Sequence, residues 1–387
     1  MKNIEKKILF NKYFIEKKDL VEFKKCLDAK KISSNNFYQK KCQNFIRKEF
    51  GFKRNFITHS CTSALEASAL IMGIKKGDEV IVPSYSFVTT ASVFANFGAK
   101  IQFLDNELKT LNITFENIKK KVTKKTKAIV VMHYAGVSKD ISKIKKLCKK
   151  KKIYLVEDAA QCIGSKYKNK YLGSYGDFST FSFHETKNIS CGEGGLLVIN
   201  NKNLYEKSKI VCLKGTNRMN FEENKTNFYT WIGKGFSALA SDITCSILYN
   251  QLKKYKKKNK IRKNLWLKYH TIISKFKSKN LFITPDKNLF KYSNYHLFYL
   301  LFYSKLKRDS FIKFMEKKNI RCVFHYLPLH KSPASKKYAI NYRENLKNSE
   351  FTSSNIVRLP LHNHLTQIEQ NRILKYLSIF IKKNENS

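Results

Sequence analysis

The feature that most constrains this chain is a repeated alternation of short apolar runs with helix-length segments. Five runs have the length of strands: Glu79–Pro83, Ile101–Asp105, Ala128–Met132, Ile153–Val156 and Leu196–Ile199. Strands that alternate with helices usually pair in parallel, so this order predicts an α/β fold with a mostly parallel, doubly wound central sheet flanked by helices. A chain of 387 residues can also bury a substantial core and form two domains.

A helical stripe predicts where the second domain begins. Its members are spaced at 3, 4 or 7 residues: Leu248, Leu252, Tyr255, Arg262, Trp266 and Tyr269. We interpret the stripe as a long helix that leads out of the part of the chain that carries the motifs. The sequence thus predicts a large domain over residues 1–250 and a smaller C-terminal domain over residues 251–387.

One lysine differs in its surroundings from almost every other lysine of the chain. Lys187 lies among small, aromatic and polar residues in the run Phe181–Asn188, which is followed by the glycine-rich run Gly192–Gly195. Lysine forms Schiff bases with carbonyl cofactors, and it does so best where few other cations surround it. Taken alone, the pattern fits a surface lysine on a turn equally well.

An acidic pair upstream favours the catalytic interpretation. Glu157 and Asp158 follow the apolar run Ile153–Val156, and ligands bind at the carboxyl ends of strands in open α/β sheets. A pyridoxal phosphate (PLP) enzyme needs a carboxylate there to keep the pyridine nitrogen protonated. A helix-capping aspartate is the alternative, but Lys187 follows Asp158 after a further strand-like run, Phe178–Phe183, which favours one shared site.

A third motif predicts an anion site. Ser60–Glu66 follows the apolar pair Phe56-Ile57 and opens a helix; Ser63 and Glu66 have the spacing of a capping box, and Thr62 is a second N-cap candidate. Free N–H groups and hydroxyls at a helix start bind phosphate. A plain capped helix is the alternative.

In this order the three motifs resemble the DegT/DnrJ type of sugar-nucleotide aminotransferases, from about Phe10 to about Leu377. That resemblance implies a PLP-dependent transferase of fold type I, like aspartate aminotransferase, with a smaller C-terminal α/β domain. Four strings resemble the branch of the family that makes dTDP-4-amino-4,6-dideoxygalactose: Phe181–Asn188, Met132–Val137, Lys214–Arg218 and Val323–His330.

The resemblance also implies roles for individual residues. Lys187 would bind the cofactor and move the proton, Asp158 would pair with the pyridine nitrogen, and Gln161 would contact the side of the ring that carries its hydroxyl. The other cofactor contacts implied are Phe87 on the open face of the ring, and Thr62, Ser63 and Ser182 on the phosphate. Ser237 stands where the family often has an asparagine from the neighbouring subunit. Sugar contacts are expected from His184, Glu185, Arg218, His325, Tyr326 and His330.

The activity implied is transfer of an amino group from glutamate to a nucleotide-linked 4-keto-6-deoxyhexose for surface polysaccharides such as lipopolysaccharide. dTDP-4-keto-6-deoxyglucose is the expected substrate, and a UDP-linked or 3-keto sugar is the alternative. The family is homodimeric, with active sites at the subunit interface. A PLP-dependent sugar dehydratase would carry histidine at the position of Lys187, and a non-catalytic regulator would need a DNA-binding segment, for which we see no signature.

Charge and cysteine content exclude other classes. The formal net charge is +47, but lysines are spread along the whole chain without a nucleic-acid-binding motif, so no dedicated nucleic-acid partner is expected. The nine cysteines include no C-x-x-C pair, so neither a metal site nor a disulfide framework is expected. With no apolar signal core and no run of about 18 apolar residues, we expect a cytoplasmic protein without a membrane partner.

Overall fold

A computed structural model describes residues 6–13, 15–276 and 280–384. Its central feature is a seven-stranded sheet with the order β1-β9-β8-β5-β4-β2-β3. The strands of this sheet are β1 Asn55–Thr58, β2 Glu79–Pro83, β3 Lys100–Leu104, β4 Thr126–Met132, β5 Tyr154–Asp158, β8 Phe178–Ser182 and β9 Gly195–Ile199. Strand β9 runs antiparallel to β1 and β8, while the neighbours from β8 to β3 pair in parallel. The predicted fold class is confirmed, and the five predicted strands lie within two residues of their observed bounds.

The described helices are α1 Lys17–Asp28, α2 Phe37–Phe50, α3 Cys61–Met72, α4 Thr89–Asn96, α5 Phe115–Lys121, α6 Ile141–Lys151, α7 Tyr205–Cys212, α8 Arg218–Glu222, α9 Asp242–Lys253, α10 Tyr255–Ile273, α11 Lys287–Phe290, α12 Lys305–Glu316, α13 Ser335–Tyr338, α14 Lys347–Asn355 and α15 Gln367–Asn384. The remaining strands are β6 Lys166–Tyr167, β7 Lys170–Tyr171, β10 Phe282–Ile283, β11 Phe298–Phe302 and β12 Ile356–Leu359. None of the helices in these ranges is long and apolar enough to cross a membrane.

Alternation along the strands explains why the sheet is buried on both faces. In β4, Ile129 and Val131 join a core with helices α2, α6 and α9, whereas Ala128 and Val130 join a core with α3, α4 and α7. This double cover is typical of parallel sheets. It leaves the carboxyl ends of the strands as the open edge at which a ligand can bind.

A third core lies in the C-terminal part of the chain. Strands β10, β11 and β12 form a three-stranded antiparallel sheet, and residues of α10, α12 and α15 pack with it. Ile8 joins this core and pairs with Ile320, although the sequence places it in the first domain. The division at residue 250 stays a prediction.

The predicted long helix is interrupted. Helix α9 ends at Lys253 and α10 begins at Tyr255, because Lys254 leaves helical geometry (φ −100°, ψ 2°). All members of the predicted stripe are buried. The two helices pack in different cores: Leu252 packs in the core with α2, while Trp266 packs in the C-terminal core.

Candidate active site

The two acids at the end of β5 point to opposite faces of the sheet and have different environments. Glu157 is fully buried, and its carboxylate accepts five hydrogen bonds. The donors are His133 Nε2, the backbone N–H groups of Gly173, Tyr175 and Gly176, and Ser179 Oγ, at 2.6–3.1 Å. Burial alone would raise the pKa of Glu157, but these donors, led by His133, hold the pKa below its ordinary value. Glu157 is therefore a structural anchor.

Asp158 faces a cavity of about 1180 Å³ at the carboxyl edge of the sheet. Its Oδ2 accepts a 2.7 Å hydrogen bond from Thr90 Oγ1, and its Oδ1 accepts a 3.2 Å bond from the Ala160 N–H. Burial raises the pKa of Asp158 above its ordinary value. No cation forms an ion pair with this carboxylate among the described residues, so its charge lacks the compensation that a buried carboxylate needs. A protonated pyridine nitrogen would supply the positive charge that this carboxylate lacks, and the site therefore fits PLP.

Lys187 lies on the same cavity, in the turn that follows β8. Burial lowers the pKa of its amine below the ordinary value, and the positive charge of Arg358 acts in the same direction. A lower pKa increases the neutral fraction of the amine, which is the nucleophilic form. The next residue, Asn188, donates to the carbonyl of Asn294 at 2.8 Å, which ties this turn to the C-terminal part of the chain.

Helix α3 begins beside the cavity, and its N-cap lies two residues before Thr62 and three before Ser63, the candidates from the sequence. Ser60 is the N-cap, and its hydroxyl accepts from the Ser63 N–H at 3.0 Å. The predicted caps, Thr62 and Ser63, are already helical, because Ser60 is the residue with extended backbone (φ −157°, ψ 168°). Thr62 lines the cavity, and the Ser63 hydroxyl lies 3.2 Å from that of Ser60. This helix start can hold a phosphate.

The glycine at the start of β9 lets this helix start sit against the sheet. A Cβ on Gly195 would lie 2.3 Å from the carbonyl of Ser60 and 2.5 Å from the nitrogen of Cys61. Any side chain there would push α3 away from the sheet. The glycine-rich run after Lys187 thus packs against the helix that starts at the cavity.

Gln161 is held with a defined amide orientation. Its Oε1 accepts a 2.6 Å hydrogen bond from the Ala135 N–H, and its Nε2 donates to the Tyr326 hydroxyl at 3.0 Å. Because a backbone N–H can only donate, the amide oxygen must face Ala135 and the amide nitrogen must face the cavity side. Phe87 and Ser182 also line the cavity, and the Phe87 ring lies 6.3 Å from that of Tyr326.

The predicted sugar contacts divide into two groups. His184, His325 and Tyr326 line the cavity. His330 does not: it is buried between Ser84 Oγ (2.6 Å) and Glu350 Oε1 (3.1 Å), which gives it a structural environment.

Three further residues predicted at the site lie outside the cavity of this chain. Arg218 pairs with Glu222 on the same helix, α8, at 2.8 Å. Glu185 has an exposed side chain, and its carbonyl accepts a hydrogen bond from Asn11 at 3.2 Å. Ser237 is exposed, and its backbone pairs with that of Leu213.

Sequence reasoning missed two arginines on the cavity. Arg262, from the helical stripe, is buried, its pKa is lowered to about 9 by burial, and it donates to the carbonyls of Tyr295 and His296. Arg358, on β12, donates to the Phe324 carbonyl at 2.9 Å. Neither forms an ion pair within the described part of the chain, so both can bind an anion. An arginine within an apolar helical stripe was the available signal for Arg262.

A lysine, a buried carboxylate and a helix start around one cavity, on a mostly parallel sheet, define a PLP-dependent transferase of fold type I. The model of the DegT/DnrJ/EryC1/StrS aminotransferase family matches residues 14–378, and the chain belongs to this family. It is a PLP-dependent sugar aminotransferase, of a family that acts on nucleotide-linked sugars with a glutamate-type amino donor.

Two curated relatives set the level of similarity. An uncharacterized protein of Methanocaldococcus jannaschii is 32% identical over 350 residues, which cover 89% of this chain and 90% of the relative. The GDP-perosamine synthase of Escherichia coli O157:H7 is 38% identical over 182 residues, which cover 47% of this chain and 50% of that enzyme.

Solved structures share the fold at lower identity. The E. coli GDP-4-keto-6-deoxy-D-mannose-3-dehydratase with bound hydrated PLP superposes with a TM-score of 0.83 at 22% identity, over 96% of this chain and 98% of that chain. Other structures with this fold hold PLP or its amino form, PMP. Since a dehydratase shares the fold, the fold alone does not decide the reaction.

Proposed function

We propose that this protein converts dTDP-4-keto-6-deoxyglucose and glutamate into dTDP-4-amino-4,6-dideoxygalactose, for surface polysaccharides such as lipopolysaccharide. The observation that carries the proposal is the convergence of Lys187, Asp158 and two arginines on one cavity, where neither arginine forms an ion pair with another described residue. Lysine at position 187 supports transamination over dehydration, because the lysine amine can both hold the cofactor and move a proton.

PLP, when bound, supplies an electron sink for the charge that develops when a substrate carbon loses its proton. Asp158 would keep the pyridine nitrogen protonated, an effect that strengthens as that charge develops. The amine of Lys187 would take the proton from the Cα of the amino donor and pass it to the cofactor. In the sugar half of the reaction it would carry a proton in the reverse direction. Gln161 would face the ring hydroxyl with its amide nitrogen, and Phe87 would cover the open face of the ring.

The phosphate of the cofactor would be held at the start of α3, by Thr62 and Ser63, together with Ser182. Ser237 would complete this group from a second subunit, because in its own chain it lies away from the cavity. A homodimer is further supported by exposed aromatic residues in the segment between α8 and α9, which also contains Ser237: Phe228 is 70% exposed and Trp231 is 79% exposed. Exposed apolar residues in this density are typical of protein interfaces. We propose that this dimer acts in the cytoplasm.

Arg262 and Arg358 support anionic substrates. Glutamate carries two carboxylates and a nucleotide sugar carries a diphosphate, and arginine binds both groups with paired hydrogen bonds. Since the two substrates bind in turn and the cofactor would hold the amino group between the two half-reactions, we expect ping-pong kinetics.

The test incubates enzyme, PLP and glutamate with the dTDP-linked keto sugar and determines the configuration at C4 by proton NMR. The galacto product has an axial amine and small couplings at H4. Large diaxial couplings would identify the gluco epimer and refute the stereochemistry. Parallel incubations use UDP-linked, GDP-linked and 3-keto sugars. The GDP arm is included because of the relative named GDP-perosamine synthase, and turnover in these arms alone would refute the proposed substrate.

A further inference from the structure

A buried tyrosine outside the cavity touches a histidine that lines it. Tyr134 has no exposed surface, and its hydroxyl lies 2.8 Å from His325 Nδ1. The two rings are in contact, with centroids 5.3 Å apart. The other ring nitrogen of His325, Nε2, has no hydrogen-bond partner among the residues that the structure describes, and His325 lines the cavity. This nitrogen is therefore available to a ligand.

The backbone around Tyr134 is fixed from several sides. The Tyr134 N–H donates to Asn112 Oδ1 at 2.8 Å, and the Ala135 N–H donates to Gln161. Ala135 adopts a left-handed conformation (φ 59°), and a Cβ on Gly136 would lie 2.4 Å from Asn294 Oδ1. A non-glycine residue is strained in this region and persists where its surroundings hold it. These contacts hold the Tyr134 hydroxyl within hydrogen-bond distance of His325 Nδ1.

The direction of the hydrogen bond follows from the chemistry of the two groups. Burial raises the pKa of Tyr134 well above its ordinary value, so the phenol stays protonated. Burial, with the nearby charges of Arg358 and Lys187 and the neighbouring His296, lowers the pKa of His325 well below its ordinary value, so the imidazole stays neutral. A phenol is the stronger donor and an imidazole nitrogen the stronger acceptor. The neighbouring Tyr85 hydroxyl forms no hydrogen bond within the described residues, so His325 Nδ1 is the acceptor that the Tyr134 hydroxyl reaches. Tyr134 therefore donates to Nδ1, and the ring proton of His325 resides on Nε2.

We propose that Tyr134 is a positioning residue that fixes His325 as the Nε2–H tautomer, so that His325 donates one neutral hydrogen bond to an uncharged oxygen of the keto sugar. The inference rests on the proposed sugar transamination. It adds a role toward the sugar to the segment Met132–Val137, whose Ala135 N–H already orients Gln161.

The surroundings of His325 favour a sugar over the amino donor. His325 stacks on Tyr326, with ring centroids 3.7 Å apart, and Phe87 and Phe324 line the same cavity with 55% and 53% exposed surface. Such apolar ring faces suit the C–H faces of a hexose. A carboxylate or a diphosphate would instead pair with Arg262 or with Arg358, whose guanidinium also donates to the carbonyl of Phe324, next to His325. A neutral imidazole adds no charge for such an anion.

Tyr326 adds a second donor of the same kind. Its oxygen accepts from Gln161, so its own O–H proton remains free to donate. Two neutral donors side by side match the oxygen atoms of a keto sugar and reject a ligand that presents donors to them.

The first test reads the tautomer directly. Protein labelled with 15N-histidine is examined by two-bond 1H–15N correlation in the wild type, in Tyr134→Phe and in the control Tyr299→Phe. Tyr299 belongs to the same buried ring cluster, 6.2 Å from Tyr134, and the structure gives it no hydrogen bond to His325. His325→Gln identifies the signal by its loss. We expect the Nε2–H tautomer in the wild type and in Tyr299→Phe, and a mixture of tautomers in Tyr134→Phe. The Nδ1–H tautomer or an imidazolium in the wild type would overturn the proposal.

The second test separates the two half-reactions. Loss of the visible absorbance of the bound cofactor on addition of glutamate reports the donor half, and its recovery on addition of the keto sugar reports the sugar half. Loss of one hydrogen bond should lower kcat/KM for the sugar about 5- to 10-fold, mainly through KM, and leave the glutamate half within about twofold. Unchanged sugar kinetics in Tyr134→Phe, or an equal loss in both halves, would overturn the sugar contact. If the wild type converts no keto sugar, the proposed function fails, while the tautomer result still decides the role of Tyr134.

Discussion

The adjacent acids at the end of β5 allow a sharp test, because the same chemical change should affect different properties at the two positions. In Asp158→Asn, the amide keeps the size of the side chain but cannot carry the negative charge that stabilises a protonated pyridine. Loss of one preorganised electrostatic partner typically lowers kcat about 10²–10³-fold, or about 3–4 kcal/mol. We expect a loss of this size in kcat with a much smaller change in PLP affinity.

The same substitution should have little effect on stability without cofactor. The amide oxygen can accept from the Ala160 N–H while the amide nitrogen donates to Thr90 Oγ1, since a hydroxyl can accept as well as donate, so the loss in hydrogen bonding is about 1 kcal/mol at most. Against this, burial raises the pKa of Asp158, so its ionised form destabilises the fold at any pH above that raised value. The substitution removes this cost, and we expect the free energy of unfolding at neutral pH to stay within about 1–2 kcal/mol of the wild type.

Glu157→Gln is the matched control, and it should lower the free energy of unfolding more than Asp158→Asn does. An amide in this place turns a donor toward Gly173 or toward Tyr175 and Gly176, whose N–H groups then lose their acceptor. The expected cost is about 2–4 kcal/mol of unfolding free energy. The assays are denaturant unfolding of the cofactor-free protein, PLP titration and steady-state turnover. Near-normal kcat in Asp158→Asn, or a larger loss of stability there than in Glu157→Gln, would refute the assignment of roles.

Three further outcomes are expected. The pKa of Glu157 lies below its ordinary value, so the carboxylate stabilises the fold fully above the pKa that it has in the unfolded chain. This stabilisation is lost as the pH falls through the lower pKa of the folded state. The free energy of unfolding of the wild type should therefore fall from neutral to acidic pH by a contribution that is absent in Glu157→Gln. Arg358→Gln should raise the pKa of Lys187, because a nearby positive charge is removed, and should raise KM for an anionic substrate by about 10- to 100-fold; an unchanged pH profile and KM would contradict this. Ser60→Ala should cost about 1 kcal/mol as the lost N-cap of α3, whereas no change in unfolding free energy would place the cap elsewhere.

Local patterns were enough to predict the central sheet and the neighbourhood of Lys187 and Asp158. Strand positions follow from apolar runs. Asp158 ends β5 and Lys187 lies in the turn that follows β8, and because these two strands pair directly, the proximity of the two residues follows from the topology. The start of α3 was predicted two to three residues late, because several hydroxyl residues in succession offer equal caps and the backbone angles of Ser60 decide between them. The break at Lys254 was missed because the stripe continues through it with helical spacing, and the sequence there contains neither proline nor glycine.

Contacts between distant segments could not be predicted in this way. Tyr134 and His325 are 191 residues apart and meet only after the C-terminal sheet has packed against the central one. Glu157 and Asp158 are neighbours of the same residue class, and the alternation of side chains along β5 sends them to opposite environments. The location of His330 between Ser84 and Glu350 likewise depends on tertiary packing, since its segment alone resembles a sugar-binding loop.

The central claim is that Lys187 holds the cofactor and carries the proton. The most direct measurement is borohydride reduction of the PLP-loaded protein, followed by proteolysis and mass spectrometry of the labelled peptide. The account predicts a phosphopyridoxyl group on Lys187 and, in Lys187→Ala, a folded protein that gains no label and loses transamination by several orders of magnitude. A label on a different lysine, or full activity in Lys187→Ala, would contradict it.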